Sequence, residues 1–218
     1  FSHTIKAQPY NKTLLQEVLK KNITLFDYEV LTNEKKQRVI AFGRFAGIVG
    51  AHNGMMTYGN RTKAFDLEQM HKYDDYAAAI AYYKTLSFPK MKIVVTGTGR
   101  VANGAAEVLD YMEIKKVSPQ DFLTNEYEEA VYTQLDCVDY VAPKDANKAF
   151  DLMDFFKNPQ DYKSIFAPYT KVADMRVNGI YWANEAPAFF SKHDIKTVAF
   201  NIKVIADVTC DIAPVASI

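Results

Sequence analysis

A glycine-rich turn is the stretch of this sequence whose residue types and spacing best suit a phosphate-bearing ligand. The β-branched run Lys92–Thr96 ends at the spacing Gly97-x-Gly99-x-x-Ala102, and a helix-like segment follows. In the dinucleotide-binding fingerprint, the glycines allow a tight turn and a close approach of backbone N–H groups to pyrophosphate. The N-terminus of the helix adds unpaired N–H groups and a positive dipole end. The pattern therefore predicts a cofactor-binding site, and the alternative is an ordinary glycine turn. The predicted cofactor-binding residues are Gly97, Thr98, Gly99, Arg100, Val101 and Ala102.

Two carboxylates near the end of the chain are further candidates for the cofactor site. Asp207 lies at the end of the strand-like run 201–208, and Asp211 follows four residues later. In open α/β sheets, ligands bind in the crevice at the carboxyl ends of the strands. We therefore predict that one of these carboxylates contacts the cofactor, with a role in capping a helix as the alternative for both.

Composition narrows the class of protein. The 218 residues are 49% hydrophobic and 24% charged, and 26 basic residues balance 26 acidic ones. This balance argues against nucleic-acid and membrane partners, and no apolar run reaches the ~20 residues of a membrane helix. The apolar surroundings of Cys137 and Cys210 predict buried, reduced thiols and no metal site. We predict a cytoplasmic protein.

The order of helix-like and strand-like segments predicts an α/β fold with a parallel sheet. Strands alternating with helices at this spacing are typical of such folds. Gly43 opens a small-residue helix in which Gly47 and Gly50 are spaced for close packing. The predicted helices cover 11–22, 66–86, 100–111, 124–134 and 159–166, and the predicted strands cover 23–31 and 38–42 as a hairpin, then 92–96, 116–118, 137–141 and 201–208.

Several segments together resemble the saccharopine dehydrogenase family, and its lysine–oxoglutarate reductase branch most closely. They follow the order of the family and span nearly the whole chain. The wider relatives are alanine dehydrogenase and the proton-translocating transhydrogenase domain. The segments that carry the resemblance are Phe1–Gln8, Asp27–Glu29, Arg38–Gly47, Thr96–Ala105, Ile165–Thr170, Asn178–Trp182 and Ile205–Asp211.

The resemblance implies an NAD(P)-dependent oxidoreductase that acts on the C–N bond of an amino acid. Family members have a cleft between two Rossmann-like domains, and they join lysine to 2-oxoglutarate or reverse that reaction. We therefore expect a partial substrate domain at 1–62, a connector helix at 63–88, and a Rossmann nucleotide-binding domain at 89–218 that is truncated at its C-terminus. Alternatives are an alanine dehydrogenase-like enzyme, a non-catalytic dinucleotide-binding module and a purely structural domain.

The resemblance also implies roles for residues in the first part of the chain. His3 matches the acid–base histidine of the family, a role that imidazole suits near neutral pH. Lys6 lies on the same stretch, and a carboxylate at Glu29 would tune the acid–base groups by its charge. These three residues are the catalytic candidates. A family lysine upstream of the histidine motif precedes Phe1, so we expect weak or no activity from this stretch alone.

Three more residues are candidates for substrate binding. Arg38 matches the family position that holds a substrate carboxylate, which a planar guanidinium binds in a bidentate way. Gln8 alternates with His3 along the chain and is suited to polar groups of the substrate. Arg44, at the start of a glycine-flanked helix, is a weaker carboxylate candidate. The substrates implied are an amino acid and a 2-oxo acid, and we expect association between copies of the chain.

The choice between NAD and NADP stays open in the sequence. An NAD site expects an acid roughly 20 residues after the fingerprint, at the end of the second strand. Val117 and Ser118 occupy that place, and Asp121 comes slightly late. No arginine is evident for a 2′-phosphate, although Lys115 and Lys116 are near.

Overall fold

The computed structural model describes residues 9–181, 185–197 and 199–209, and its contacts divide the chain between Phe42 and Gly43. The smaller unit holds a 3-10 helix over Pro9–Asn11, helix α1 over Lys12–Lys20, and a 3-10 turn over Tyr28–Val30. Among its described residues, the only strand pairing is an isolated antiparallel bridge between Thr32 and Arg38.

The predicted hairpin over 23–31 and 38–42 is therefore wrong, although the predicted helix at 11–22 is confirmed as α1. Large apolar side chains that the hairpin would have to bury are exposed instead, among them Phe26 at 82% and Val39 at 62%. A two-stranded hairpin without a buried face is marginal in water, which accounts for its reduction to one bridge.

The larger unit is built on a five-stranded parallel sheet, which confirms the predicted α/β class. The strands of this chain are β1 (Lys92–Thr96), β2 (Lys115–Lys116), β3 (Val131–Leu135), β4 (Val141–Pro143), β5 (Tyr162–Ser164), β6 (Met175–Asn178) and β7 (Val204–Asp207). The order in the sheet is β2-β3-β1-β6-β7, with every neighbouring pair parallel. Strands β4 and β5 form a separate antiparallel pair.

The helices of the larger unit cover both faces of this sheet. They are α2 (Gly43–Thr62), α3 (Tyr76–Tyr83), α4 (Arg100–Tyr111), α5 (Pro119–Thr124), α6 (Cys137–Tyr140), α7 (Leu152–Lys157), α8 (Ala167–Val172) and α9 (Lys192–Thr197). All five residues of β1 are buried, as expected of a central parallel strand. Ile93 and Val95 pack into the core on the side of α2 and α4, whereas Val94 packs with Phe122 and Phe166 on the other side.

Helix α2 packs against α4 at very short range because both carry glycines at the crossing. A Cβ built on Gly47 would lie 1.8 Å from the carbonyl oxygen of Val101, and one on Gly104 would lie 2.1 Å from that of Arg44. A Cβ on Gly50 would meet Val208 at 2.4 Å. The predicted close packing of this small-residue helix is confirmed. These contacts place residues 43–62 with the sheet, whereas the sequence expectation grouped them with residues 1–42.

Several predicted elements differ from the structure for local reasons. The helix predicted at 66–86 is a 3-10 turn over Met70–Lys72 and the short α3, which begins where the Asp75 carboxylate accepts a hydrogen bond from the Ala78 N–H at 2.8 Å. The segment 63–88 is therefore not one helix.

Two elements predicted after the glycine turn differ in type from those in the structure. The predicted strand at 137–141 begins as helix α6, because Asp136 and Asp139 form a capping box. The segment 124–134, predicted as a helix, is instead irregular over 125–130 and then enters strand β3. Helix α5 ends before it, where the Lys92 ammonium donates to the carbonyls of Phe122 and Asn125 at 2.9 and 2.7 Å.

The next predicted helix also changes type. The segment 159–166 opens at Pro159 as expected, but it forms only a 3-10 turn over Pro159–Asp161. It then continues as strand β5, which pairs with β4.

Candidate functional site

The turn that follows β1 requires a glycine at its first position. Gly97 has φ +104°, and its N–H donates to the carbonyl of Leu135 at 2.9 Å. A Cβ here would lie 2.9 Å from the carbonyl oxygen of Gly179. The left-handed backbone and the close approach of the loop after β6 both exclude a side chain.

Gly99 is different, because nothing in the described structure requires it to lack a side chain. It caps α4 with φ −82° and ψ −173°, a conformation open to any residue. A Cβ built on it meets no described atom within 4 Å. The space beside the N-terminus of a twelve-residue helix is thus open, as a pyrophosphate cradle requires.

Side chains from neighbouring elements hold the turn in shape. The Asn103 amide donates to the carbonyl of Thr98 at 3.2 Å. The Gln134 amide, on β3, donates both to the carbonyl of Gly97 at 3.1 Å and to Asn103 Oδ1 at 2.9 Å. Sequence reasoning missed both residues, since they support the turn without belonging to the glycine spacing.

The other predicted cofactor residues lie around this turn as the fingerprint requires. Thr98 and Arg100 are exposed, Val101 is half-buried, and Ala102 is fully buried. A Cβ on Gly179 would lie 2.8 Å from the Ala102 nitrogen, so the start of α4 and the loop after β6 are in close contact. A small residue at position 102 allows this approach.

A cavity of about 530 Å³ opens directly beside the turn. Gly97, Thr98 and Gly99 form one wall, and Asp136 and Cys137 lie beside them. The rest of the lining is mostly apolar and includes Val141, Leu152, Phe155, Phe156, Pro159 and Ile180. Ligand sites commonly combine apolar walls with a few placed polar groups, and this volume is in the usual range for them.

Asp136 is an acidic residue that lies beside the glycine turn in the lining of the cavity. An acid was expected at the end of β2, but β2 lies at the edge of the sheet and β3 is the neighbour of β1. Asp136 follows β3 directly, and its Oδ1 lies 3.5 Å from Thr98 Oγ1. In the sequence it is the aspartate directly after the strand-forming segment Val131–Leu135.

The residues considered earlier for the cofactor choice have local partners. Ser118 and Asp121 hydrogen-bond to each other at the start of α5, at 2.7 and 3.0 Å. Lys115 pairs with Glu129 at 3.4 Å, and Lys116 donates to Gln134 Oε1 at 2.9 Å.

Asp207 lies at the same edge of the sheet as the glycine turn. The registers Thr96–Asn178 and Asn178–Asp207 align the ends of β1, β6 and β7. Asp207 Oδ1 accepts from the Asn178 amide at 3.0 Å and from the Thr209 N–H at 3.2 Å. Its Oδ2 is buried and has no hydrogen-bond partner among the described residues. Asp211 lies outside the described residues.

The structure describes few of the predicted catalytic and substrate-binding residues. His3, Lys6 and Gln8 lie outside the described residues, as does the side chain of Glu29, whose backbone is in the 3-10 turn over Tyr28–Val30. Arg38 lies in the smaller unit, where it is exposed and forms the bridge with Thr32.

Arg44 binds a carboxylate of this chain. Its Nε and Nη2 lie 2.8 and 2.6 Å from the two carboxylate oxygens of Glu107, and the hydroxyl of Tyr76 also donates to Glu107 at 3.2 Å. The hydrogen bond to Glu107 raises the pKa of Arg44. The guanidinium is therefore committed to holding α2 against α4 in this structure.

Within the part of the chain that the structure describes, no helix is long and apolar enough to cross a membrane.

No family model matches the chain. The alpha-aminoadipic semialdehyde synthase of Mus musculus is 31% identical over an alignment of 229 positions, which covers 93% of this chain and 24% of that protein. The name of this relative includes "mitochondrial", so the predicted cytoplasmic location stays a prediction.

Two further relatives extend the comparison. The alpha-aminoadipic semialdehyde synthase of Arabidopsis thaliana is 30% identical, over 97% of this chain and 23% of its own. A saccharopine dehydrogenase (NAD(+), L-lysine-forming) of Candida glabrata is 29% identical over 50% of this chain and 32% of its own. Among solved structures, an L-alanine dehydrogenase matches with a TM-score of 0.39 and 10% identity, over 86% of this chain and 44% of its own.

The chain thus spans about a quarter of the length of the synthases that it matches. Over nearly all of its own length it is homologous to a segment of them, which confirms the predicted resemblance to the saccharopine dehydrogenase family.

Proposed function

We propose that the protein is an NAD-dependent oxidoreductase that acts on the C–N bond of an amino acid, of the saccharopine dehydrogenase or lysine–2-oxoglutarate reductase type. The observation that carries the proposal is the open space beside Gly99, at the N-terminus of α4 and next to a cavity. The pyrophosphate would bind to the N–H groups of this helix N-terminus. The homology to proteins named for this chemistry supports the choice of reaction class.

The position of Asp136 supports NAD over NADP. An acid after the strand beside β1 is suited to accept hydrogen bonds from the 2′-hydroxyl of the adenosine ribose. A 2′-phosphate at the same place would bring a second anion close to the carboxylate, which disfavours NADP. Lys115 and Lys116 already have partners, so neither supports a phosphate there.

The cofactor choice is tested by Asp136→Asn, since asparagine removes the charge yet caps a helix as well as aspartate does. We expect wild-type protein to bind NADH at least tenfold more tightly than NADPH, and the variant to lose most of this preference. Asp121→Asn is the matched control, because it removes the acid that follows edge strand β2. Equal affinities for both cofactors in the wild type would contradict the role of Asp136.

On the substrate side, the proposal retains the roles implied by the family resemblance. His3 would move protons during formation of the carbinolamine and imine, and the charge of Glu29 would tune the acid–base groups. Lys6, the third catalytic candidate, would contact polar groups of the substrate. Arg38 would hold a substrate carboxylate, and Gln8 would contact polar groups. Arg44 would be available to a substrate carboxylate only if it released Glu107, so we expect Arg44 to contribute less to substrate binding than Arg38.

Turnover assays separate the candidate reactions. Lysine with 2-oxoglutarate is compared with pyruvate and ammonia, each with NADH and with NADPH, following loss of absorbance at the reduced nicotinamide band. Oxidation of NADH with lysine and 2-oxoglutarate that is lost in His3→Gln and Arg38→Leu supports the proposal. Activity only with pyruvate and ammonia indicates an alanine dehydrogenase-like enzyme. Saturable NADH binding without turnover of either pair indicates a dinucleotide-binding module.

A further inference from the structure

A buried arginine beneath the carboxyl edge of the sheet has no role in the site described above. Arg176, on central strand β6, is 0% exposed. Its guanidinium lies 3.9 Å from the ring centre of Phe189, 4.9 Å from that of Phe166 and 5.6 Å from that of Phe190. Burial of an ion costs several kcal/mol even after the protein relaxes, so a charge here needs a reason.

Hydrogen bonds compensate only part of this cost. Arg176 Nη2 donates to Asn178 Oδ1 at 3.0 Å and lies 3.5 Å from Thr96 Oγ1, while Nε and Nη1 have no partner among the described residues. Desolvation lowers the pKa of Arg176 to about 9, against the opposing charge of Asp207. The side chain therefore still carries its charge at neutral pH.

Asn178 hydrogen-bonds to both Arg176 and Asp207, so the position of Arg176 affects the orientation of Asp207. Its Oδ1 accepts from Arg176 and, at 2.8 Å, from the hydroxyl of Thr96. Because both donors meet the same oxygen, the amide nitrogen is fixed on the opposite side, where it donates to Asp207 Oδ1 at 3.0 Å. A guanidinium, an amide and a carboxylate thus form one chain of contacts that ends at the edge of the sheet.

This chain of contacts ends at an acceptor that has no donor among the described residues. Asp207 Oδ2 is buried and unpartnered among the described residues, and buried carboxylate oxygens rarely remain so. Asp136 lies on the β3 side of β1, whereas Asp207 lies two strands away on the other side. Strands are about 4.8 Å apart, so a dinucleotide with its adenosine at Asp136 and its pyrophosphate at Gly99 extends toward Asp207.

We infer that Arg176 is a positioning residue that acts through Asn178 to orient the Asp207 carboxylate, with Oδ2 directed at a hydroxyl or amide donor on the nicotinamide half of the dinucleotide. The inference rests on the proposed function, because it requires a dinucleotide at the glycine turn. It assigns a role to a residue outside the fingerprint and outside the cavity lining.

The test compares NADH with ADP, which has the adenosine and the pyrophosphate but lacks the nicotinamide half. Affinities are measured by calorimetry for the wild type, Arg176→Met and Asn178→Ala, with unfolding by urea measured in parallel. We expect each variant to bind NADH at least tenfold more weakly and to bind ADP within twofold of the wild type. A purely structural role would weaken both ligands together.

A double-mutant cycle tests whether Arg176 acts through Asp207. Asp207→Asn should weaken NADH binding, and adding Arg176→Met to it should cause little further loss, because coupled residues are not additive. Lys92→Met is the matched control, since it removes a buried cation from the opposite end of the same sheet. We expect it to change stability and to leave the ratio of NADH to ADP affinity unchanged.

The outcomes separate the two claims. A wild type that binds neither NADH nor ADP overturns the proposed function and this inference with it. A wild type that binds both, with an unchanged NADH affinity in Arg176→Met or equal losses of NADH and ADP, overturns the inference alone. If Arg176→Met does not fold, Asn178→Ala decides, because it breaks the same chain of contacts and leaves the guanidinium in place.

Discussion

The substitution Gly99→Ala should separate stability from cofactor binding. Its φ of −82° suits alanine, and the added Cβ meets no described atom within 4 Å. Replacing glycine where the backbone permits it stabilises by about 0.4–1 kcal/mol through the unfolded state. Alanine is a poorer N-cap than glycine by a similar amount. The two effects offset each other, so the free energy of unfolding should change by less than about 0.5 kcal/mol.

The effect on affinity should be much larger. The methyl group enters the space that the pyrophosphate needs, and the displaced anion loses at least one hydrogen bond from a backbone N–H. A hydrogen bond to a charged group is worth about 1.5–3 kcal/mol, which corresponds to roughly a tenfold to a hundredfold loss of NADH affinity.

Calorimetry with NADH and urea unfolding measure the two quantities on the same sample. Gly97→Ala is the control that should fail in both respects, since φ +104° strains any side chain by about 1–3 kcal/mol. An NADH affinity in Gly99→Ala within twofold of the wild type would refute the claim that the pyrophosphate binds beside Gly99. A loss of more than about 2 kcal/mol in the free energy of unfolding would refute the claim that the space beside Gly99 can hold a methyl group.

Three further predictions concern the larger unit. Gly47→Ala places a Cβ 1.8 Å from the carbonyl oxygen of Val101, so urea unfolding should show a loss of about 3 kcal/mol, and a neutral result would contradict the close helix crossing. Burial lowers the pKa of His52, so its neutral form is favoured in the native state, and stability should fall as the pH drops below about 6.5. His52→Gln should flatten this dependence in unfolding curves between pH 5 and 7; an unchanged slope would assign it to another group. Arg44→Ala breaks the ion pair with Glu107, but the arginine side chain is 50% exposed, so the midpoint of urea unfolding should fall only slightly, and a fall as large as that of Gly47→Ala would show a larger structural role.

The sequence carried enough information for the class of fold and for the location of the turn. The β-branched run before Gly97 is buried strand β1, and the small residues from Gly43 onward form the helix that packs on α4. Both are local signals with a direct physical cause, namely burial on both faces of a strand and close approach of two backbones.

Signals that depend on which strands are neighbours could not be read from the chain in order. Asp136 was overlooked because the order β2-β3-β1 places the second strand in sequence at the edge. The short helix α6 was predicted as a strand because its apolar residues outweighed a capping box that starts at Asp136 itself. The pattern of apolar residues cannot tell a short buried helix from a short buried strand.

The contacts among Arg176, Asn178 and Asp207 could not be predicted from the sequence for another reason. Arg176 is one of two charged residues, with Asp174, in the otherwise apolar run Val172–Val177, a pattern that is typical of an exposed or interrupted strand. Only the fold shows that Asn178 and Asp207 lie on the same face and that phenylalanine rings enclose the guanidinium.

The central claim, that the turn after β1 binds a nicotinamide dinucleotide, is tested most directly by titrating the wild-type protein with NADH and following its fluorescence. We expect saturable binding of one NADH per chain with a Kd below about 1 mM, and weaker binding of NADPH. The absence of saturable binding by either cofactor, from a protein whose urea unfolding shows it to be folded, would contradict it.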